Sequence, residues 1–172
     1  MLLIDTTFLE TLSQREMRSG LAEMLKHGLI FDKAYWEKFL DLKTVDFILP
    51  KPRKMKISIS ADYILHHRES DLIKVKEIIL SKYPKYKDDI SKYLDTNNHF
   101  YQCNMMITSK QNWDDYHAWL FDILFELEKN ITIPEDNFQR RIFGFLSERL
   151  FNLYILHNKF KIKEYPLLFI TD

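Results

Sequence analysis

The sequence predicts a mainly α protein: a helical, bundle-like body with one or two short strands. Three observations carry that prediction. Segments of helical periodicity recur along most of the chain, several headed by capping residues. Only FYQCNMMIT, residues 100–108, and YPLLFI, residues 165–170, read as strands. Glycine is scarce, three in 172 residues, and neither G-x-G-x-x-G nor G-x-x-x-x-G-K-[ST] occurs. The glycine-built phosphate cradle of a parallel α/β sheet is therefore not encoded.

Ser13-Gln14-Arg15-Glu16 reads as a capping box. The helix it opens runs to about Ile30, with Leu21, Leu25 and Leu29 at helical spacing. A second helix covers Lys33 to Leu42, with Asp32 as its cap. FILPKPRKMK, residues 47–56, then concentrates two prolines and four cations. Proline lacks an N–H and extends the residue before it, so this segment is the best boundary or surface loop in the chain. Helices follow at about 60–68, 71–83 and 86–95, with Ser60 and Asp71 as caps and Pro84 ending the second. A long helix spans about 110–129, where Trp113, Tyr116, Leu120, Leu124 and Leu127 recur every three or four residues. Pro134 suits the first turn of a last helix reaching Asn158. Trp36, Trp113 and Trp119 fall on apolar helical faces and read as core.

Composition excludes several functions. Lys+Arg and Asp+Glu are both 25, so the basic excess of a nucleic-acid binder is missing. No apolar stretch approaches 18 residues, so no membrane-spanning segment is expected, and the first ten residues do not read as a signal peptide. The lone Cys103 rules out an internal disulfide and a cysteine-rich zinc site. A reducing compartment, the cytoplasm, fits best.

Residues 2–42 carry Asp5, Thr11-Leu12, Arg15-Glu16, Ser19-Gly20, Ala22-Glu23, Lys26 and Ile30-x-Asp32. This pattern resembles a fragment of 3-dehydroquinate synthase, a shikimate-pathway enzyme of aromatic amino acid biosynthesis. The resemblance implies that Glu23 is a zinc ligand and Lys26 a substrate-binding lysine, with NAD as the family's cofactor. A catalytic zinc needs three protein ligands. The family's two downstream histidine ligands and its NAD-binding domain have no counterpart here. Zinc and NAD thus belong to this reading alone, and Glu23 holds a metal only if a partner completes the site. Otherwise Glu23 and Lys26 form an ordinary i, i+3 surface pair.

From residue 46 onward the pattern changes. DFILPKPRKMK, DYILHHRESDL, CNMMITSK, WLFDILFELEK and RRIFGFLSERLFNLYI follow in order. They resemble the C-terminal half of a glycosyltransferase-like domain family of unknown function from bacterial capsular polysaccharide and lipopolysaccharide gene clusters. The chain therefore divides into a dehydroquinate-synthase-like helical leader, 1–43, and a partial glycosyltransferase-like domain, 46–172. The join predicts a fused or shortened reading frame whose active site is incomplete on either reading.

The resemblance implies a nucleotide-sugar or polysaccharide acceptor as ligand. Sugar transfer from a nucleotide needs a group to accept the acceptor proton and a counter-charge for the diphosphate. Glu148 suits the first role, or the orientation of an acceptor hydroxyl. Arg149 suits phosphate, and a divalent metal would supply the same counter-charge. The alternative is that Ser147 and Glu148 only cap or pair within packed helices. His67 is a candidate acceptor-site group. Asn104 binds a sugar or satisfies neighbouring backbone. A non-catalytic helical interaction module is the remaining alternative. On that view the strand at 100–108 is an exposed edge, and a complementing chain or self-association covers it.

Overall fold

The computed structural model describes residues 44–166. Its body is mainly helical, as expected, with five short strands in two small sheets. Strand β1, Phe47–Pro50, lies centrally between β4, Ile107–Thr108, and β5, Ile162–Tyr165. It runs antiparallel to β4 and parallel to β5, with Phe47 opposite Thr108 and Ile162. Strand β2, Arg53–Lys54, pairs with β3, His99–Phe100. The proline-rich stretch 47–56 thus contains the two short strands β1 and β2. Three consecutive apolar residues, Phe47, Ile48 and Leu49, bury β1 as a central strand, and Pro50 falls at its end, where a missing N–H is tolerated.

Asp46 fixes the entry to β1. Its carbonyl accepts from Thr108 Oγ1 at 2.6 Å and Asn112 Nδ2 at 3.2 Å, and its carboxylate accepts from Lys161 N at 2.8 Å. The entry to β1, the second-last described helix and the last described strand are joined at one residue.

Helix α1, Ile59–His66, is capped by Ser58, whose hydroxyl accepts from Ala61 N at 3.2 Å. Ser60, the expected cap, lies inside the helix and donates to Asp95 at 2.5 Å. Helix α2, Glu69–Lys82, starts after Arg68 without a side-chain cap. Asp71 is in its first turn, where its carboxylate takes two bonds from Arg68 and favours the positive helix end. Pro84–Tyr86 forms a single 3-10 turn, and helix α3, Lys87–Asp89, passes into a π-helical turn, Ile90–Asp95.

Helix α4, Lys110–Asn130, is capped by Ser109. Helix α5, Ile142–Asn158, begins later than Pro134 suggests. Residues 131–138 are irregular, and Gln139–Arg141 forms a 3-10 lead-in after Asp136 accepts from Phe138 N and Gln139 N. Lys159 closes α5 in the left-handed conformation, φ 53°. Of the segment 165–170, Tyr165 ends β5, and 167–170 fall outside the described residues.

One core joins α2, α4 and α5 over β1. Val75 and Ile79 from α2, Tyr116, Ile123 and Leu127 from α4, and Leu146, Phe151 and Ile155 from α5 are buried together. Each such side chain contributes about 1.5–3 kcal/mol through burial. Trp119 is core, as its spacing predicts, whereas Trp113 is exposed.

Candidate active site

The site forms where the end of α1 meets the second turn of α5. α1 supplies the consecutive residues Asp62 and Tyr63, and His67 follows as its C-cap. α5 supplies Ser147, Glu148 and Arg149 in succession. The turn at 103–104 closes the third side.

Arg149 is the organising group, buried although charged. Its Nη2 donates to Asp62 at 3.0 Å, and its Nη1 donates to Glu148 at 3.3 Å and to the Phe145 carbonyl at 3.2 Å. The guanidinium lies over the rings of Phe100, at 4.9 Å, and Tyr63, at 5.4 Å. Arginine suits this position because its flat cation tolerates aromatic faces and bonds at several edges. Its Nε has no partner, and neither has the buried Tyr63 hydroxyl. Burial, then the Asp71 carboxylate, pushes the Tyr63 phenol far above its ordinary range, so it stays protonated.

The expected strand 100–108 breaks at Cys103 and Asn104, which adopt φ 66° and 48°. Two residues in the left-handed region reverse the chain and end extended pairing. The backbone groups of Tyr101 find a side chain instead. Asn152 Oδ1 accepts from Tyr101 N and Asn152 Nδ2 donates to Tyr101 O, both at 2.8 Å, and the same nitrogen reaches Glu148 O at 2.8 Å. This fully buried amide clamps the turn to α5. Asn104 Nδ2 then donates to Ser147 Oγ at 2.9 Å, and Ser147 donates to Gly144 O at 2.8 Å. Asn104 Oδ1 is left buried without a partner. Cys103 is exposed, and burial of its sulfur together with the Glu148 charge raises its thiol pKa.

His67 stacks on Phe145, ring centroids 4.1 Å apart, and on Phe138, 5.6 Å apart. Its Nδ1 is 3.2 Å from Gln139 Oε1, and Gln139 Nε2 donates to His66 O at 3.0 Å. Burial and the nearby Arg149 cation hold its pKa below the ordinary imidazole value, so the ring is neutral at pH 7. Phe138, stacked on His67 and exposed, gives this side an apolar edge.

Glu148, Arg149, His67 and Asn104 are therefore brought to one region. Glu148 and Asn104 are tied to adjacent residues of α5, and His67 approaches from α1. Glu23 and Lys26 lie outside the described residues. Sequence reasoning passed over Asp62, Gln139 and Asn152. Asp62 and His66 stand one turn apart, as do Glu148 and Asn152, so periodicity held a faint signal for both. Among the described residues no three His, Cys, Asp or Glu gather to hold a metal. Asp62 and Glu148 both engage Arg149, so this donor set does not fit a cation. Two shallow concavities lie elsewhere, one near Lys74, Lys82 and Glu126, the other near Lys92, Tyr93 and His99. No described helix is long and apolar enough to cross a membrane.

Comparison with solved structures defines the class. A WbbM bifunctional glycosyltransferase in its apo form superposes with a TM-score of 0.67 at 27% identity, over 78% of this chain and 27% of that one. The domain has a glycosyltransferase-type fold. The family model for the domain of unknown function DUF4422 matches residues 15–159, and the chain belongs to that family. That match begins inside the segment that resembles 3-dehydroquinate synthase.

Curated relatives of that second kind match over short stretches. The 3-dehydroquinate synthase of Rippkaea orientalis is 47% identical over 45 residues, 26% of this chain and 12% of the relative. That of Geobacillus thermodenitrificans is 61% identical over 33 residues, 19% and 9%. That of Nitratiruptor sp. is 40% identical over 63 residues, 34% and 18%. The chain thus spans less than a fifth of these relatives' length, and about a quarter of the WbbM chain.

Proposed function

We propose that this domain is a sugar-transfer module of bacterial surface polysaccharide synthesis, of capsule or lipopolysaccharide, acting in the cytoplasm on a nucleotide-sugar donor. The observation that supports the reading is that Glu148 bonded to Arg149, Asn104 bonded to the neighbouring Ser147, and His67 beside the Arg149 charge share one region of a glycosyltransferase-type fold. In the proposed step an acceptor hydroxyl attacks the anomeric carbon of the donor. The new C–O bond forms as the bond to the diphosphate breaks, and the nucleoside diphosphate leaves with that electron pair. Glu148 accepts the hydroxyl proton.

Arg149 acts here by holding Glu148. Both its terminal nitrogens are engaged, and its charge is more than offset by the two carboxylates of Asp62 and Glu148. Asn104, with one free buried acceptor, and the neutral His67 orient sugar hydroxyls. The counter-charge for the diphosphate comes from outside the described residues, and no step is routed through a metal. A complementing chain supplies the donor-binding part.

The test is transfer or hydrolysis across a panel of UDP- and GDP-sugars, with the complementing chain added. Glu148→Gln is expected to lower turnover at least about 100-fold, the usual scale for a general base. Unchanged turnover would remove Glu148 as base, and no binding of any sugar nucleotide would favour a non-catalytic module. The alternative, a 3-dehydroquinate synthase remnant, is supported by the short relatives. Micromolar zinc binding lost on Glu23→Ala would favour it.

A further inference from the structure

Helix α4 is apolar on two faces. One buries Tyr116, Trp119, Leu120, Ile123, Leu124 and Leu127. The other carries Trp113, His117, Phe121 and Phe125, each four residues from the last. Their rings form a row, with centroids 4.0, 5.9 and 5.5 Å apart. Trp113, Phe121 and Phe125 are 46%, 44% and 60% exposed. A contiguous row of exposed aromatic rings on an otherwise charged helix surface marks an interaction face.

The charges beside the row say what covers it. Lys110 and Glu128 stand three residues beyond its two ends. They are separated by five helical turns at 3.6 residues each and share its azimuth. Lys110, Trp113, His117, Phe121, Phe125 and Glu128 are therefore spaced 3-4-4-4-3, which reads the same in both directions. A second copy of α4 laid antiparallel sets Lys110 against Glu128 at both ends, Trp113 against Phe125, and His117 against Phe121. A parallel copy would oppose like charges. Within the described residues Glu128 has no ion pair or hydrogen bond, and Lys110 pairs only with Asp114 of its own exposed turn.

We propose that this face is a self-complementary antiparallel homodimer contact, with the two-fold axis passing near residue 119. The inference is independent of the sugar-transfer reading. One helix pair about 31 Å long buries less than the roughly 1,600 Å² of a standard interface, so the dimer is reversible.

Sedimentation velocity of the full chain over a concentration series tests this. The wild type is expected to pass from monomer to dimer in the micromolar range. Phe125→Lys, with Phe121→Lys as a second variant should the first lose helical circular dichroism, is expected to weaken association at least about tenfold. Lys110→Glu and Glu128→Lys should each weaken it several-fold, and the double swap should restore it. A monomer at all concentrations would overturn the proposal. So would a dimer indifferent to Phe125→Lys and Phe121→Lys, or a charge swap that fails to restore it, which would indicate a parallel or different contact.

Discussion

Arg149 Nη2 lies 3.0 Å from Asp62 Oδ2 and joins α5 to α1 across 87 positions of sequence. The bond sets a cation that is almost wholly buried beside a carboxylate that water still reaches. The two partners therefore respond unequally to mutation. Asp62→Ala leaves a buried guanidinium with one fewer acceptor and is expected to cost about 2 kcal/mol. Arg149→Met should cost less, because Asp62 rehydrates and the methionine fills the slot between Tyr63 and Phe100. Urea denaturation of the two single variants checks the order.

Asn152 gives the second prediction. It is completely buried and satisfies both backbone groups of Tyr101. Asn152→Leu strands that N–H and carbonyl and is expected to cost about 2–4 kcal/mol. Loosening the 103–104 turn should also lower any transfer activity beyond the loss explained by unfolding. Denaturation midpoints and specific activity per folded molecule measure the two effects.

His67 makes the stability of the fold depend on pH. The pKa of folded His67 lies below the ordinary 6.5, chiefly through burial. The unfolded chain thus takes up this proton at a higher pH than the folded one. The stability contributed is complete above the ordinary imidazole range and is lost as pH falls through it toward the lowered value. His67→Phe keeps the stack on Phe145 and removes the proton site. Comparing urea midpoints at pH 7.5 and 5.5, the wild type is expected to lose more stability on acidification than this variant.

Cys103 supplies a fourth prediction. Its thiol pKa is raised by burial and then by Glu148, so little thiolate forms despite its exposure. Labelling by a disulfide reagent at pH 8 is expected to be slower than for an unfolded control, and faster in Glu148→Gln. Equal rates in wild type and variant would separate Cys103 from Glu148.

These residues also show what the sequence made legible. Helices α1, α2, α4 and α5 were readable because their apolar stripes face one core at helical spacing. Their starts were less so: Ser58 and Ser60 are equally good caps, and tertiary bonding to Asp95 decided between them. Residues 100–108 look extended by side-chain type. The bend at Cys103 and Asn104 depends on Asn152, 51 positions from Tyr101, and no local pattern encodes such a partner. Trp113 matches the core period yet faces outward, because a helix with two apolar faces does not reveal which one its own domain covers. Glu148, Arg149, Asn104 and His67 were singled out by residue type within a resemblance, and the fold brings them into one region. Asp62 had only a faint helical-spacing signal, and its bond to Arg149, 87 positions away, is visible only in space.

If the residues around Arg149 form the sugar-transfer site, ligands bind there. Backbone amide chemical-shift mapping of the labelled full chain, with the complementing chain added, against UDP- and GDP-sugars and a glycan acceptor tests it most directly. The expected result is saturable shifts clustered at residues 62–67, 103–104 and 147–149, abolished by Asn104→Leu. Shifts confined to the concavity near Lys92 and His99, or none with any ligand, would contradict the claim.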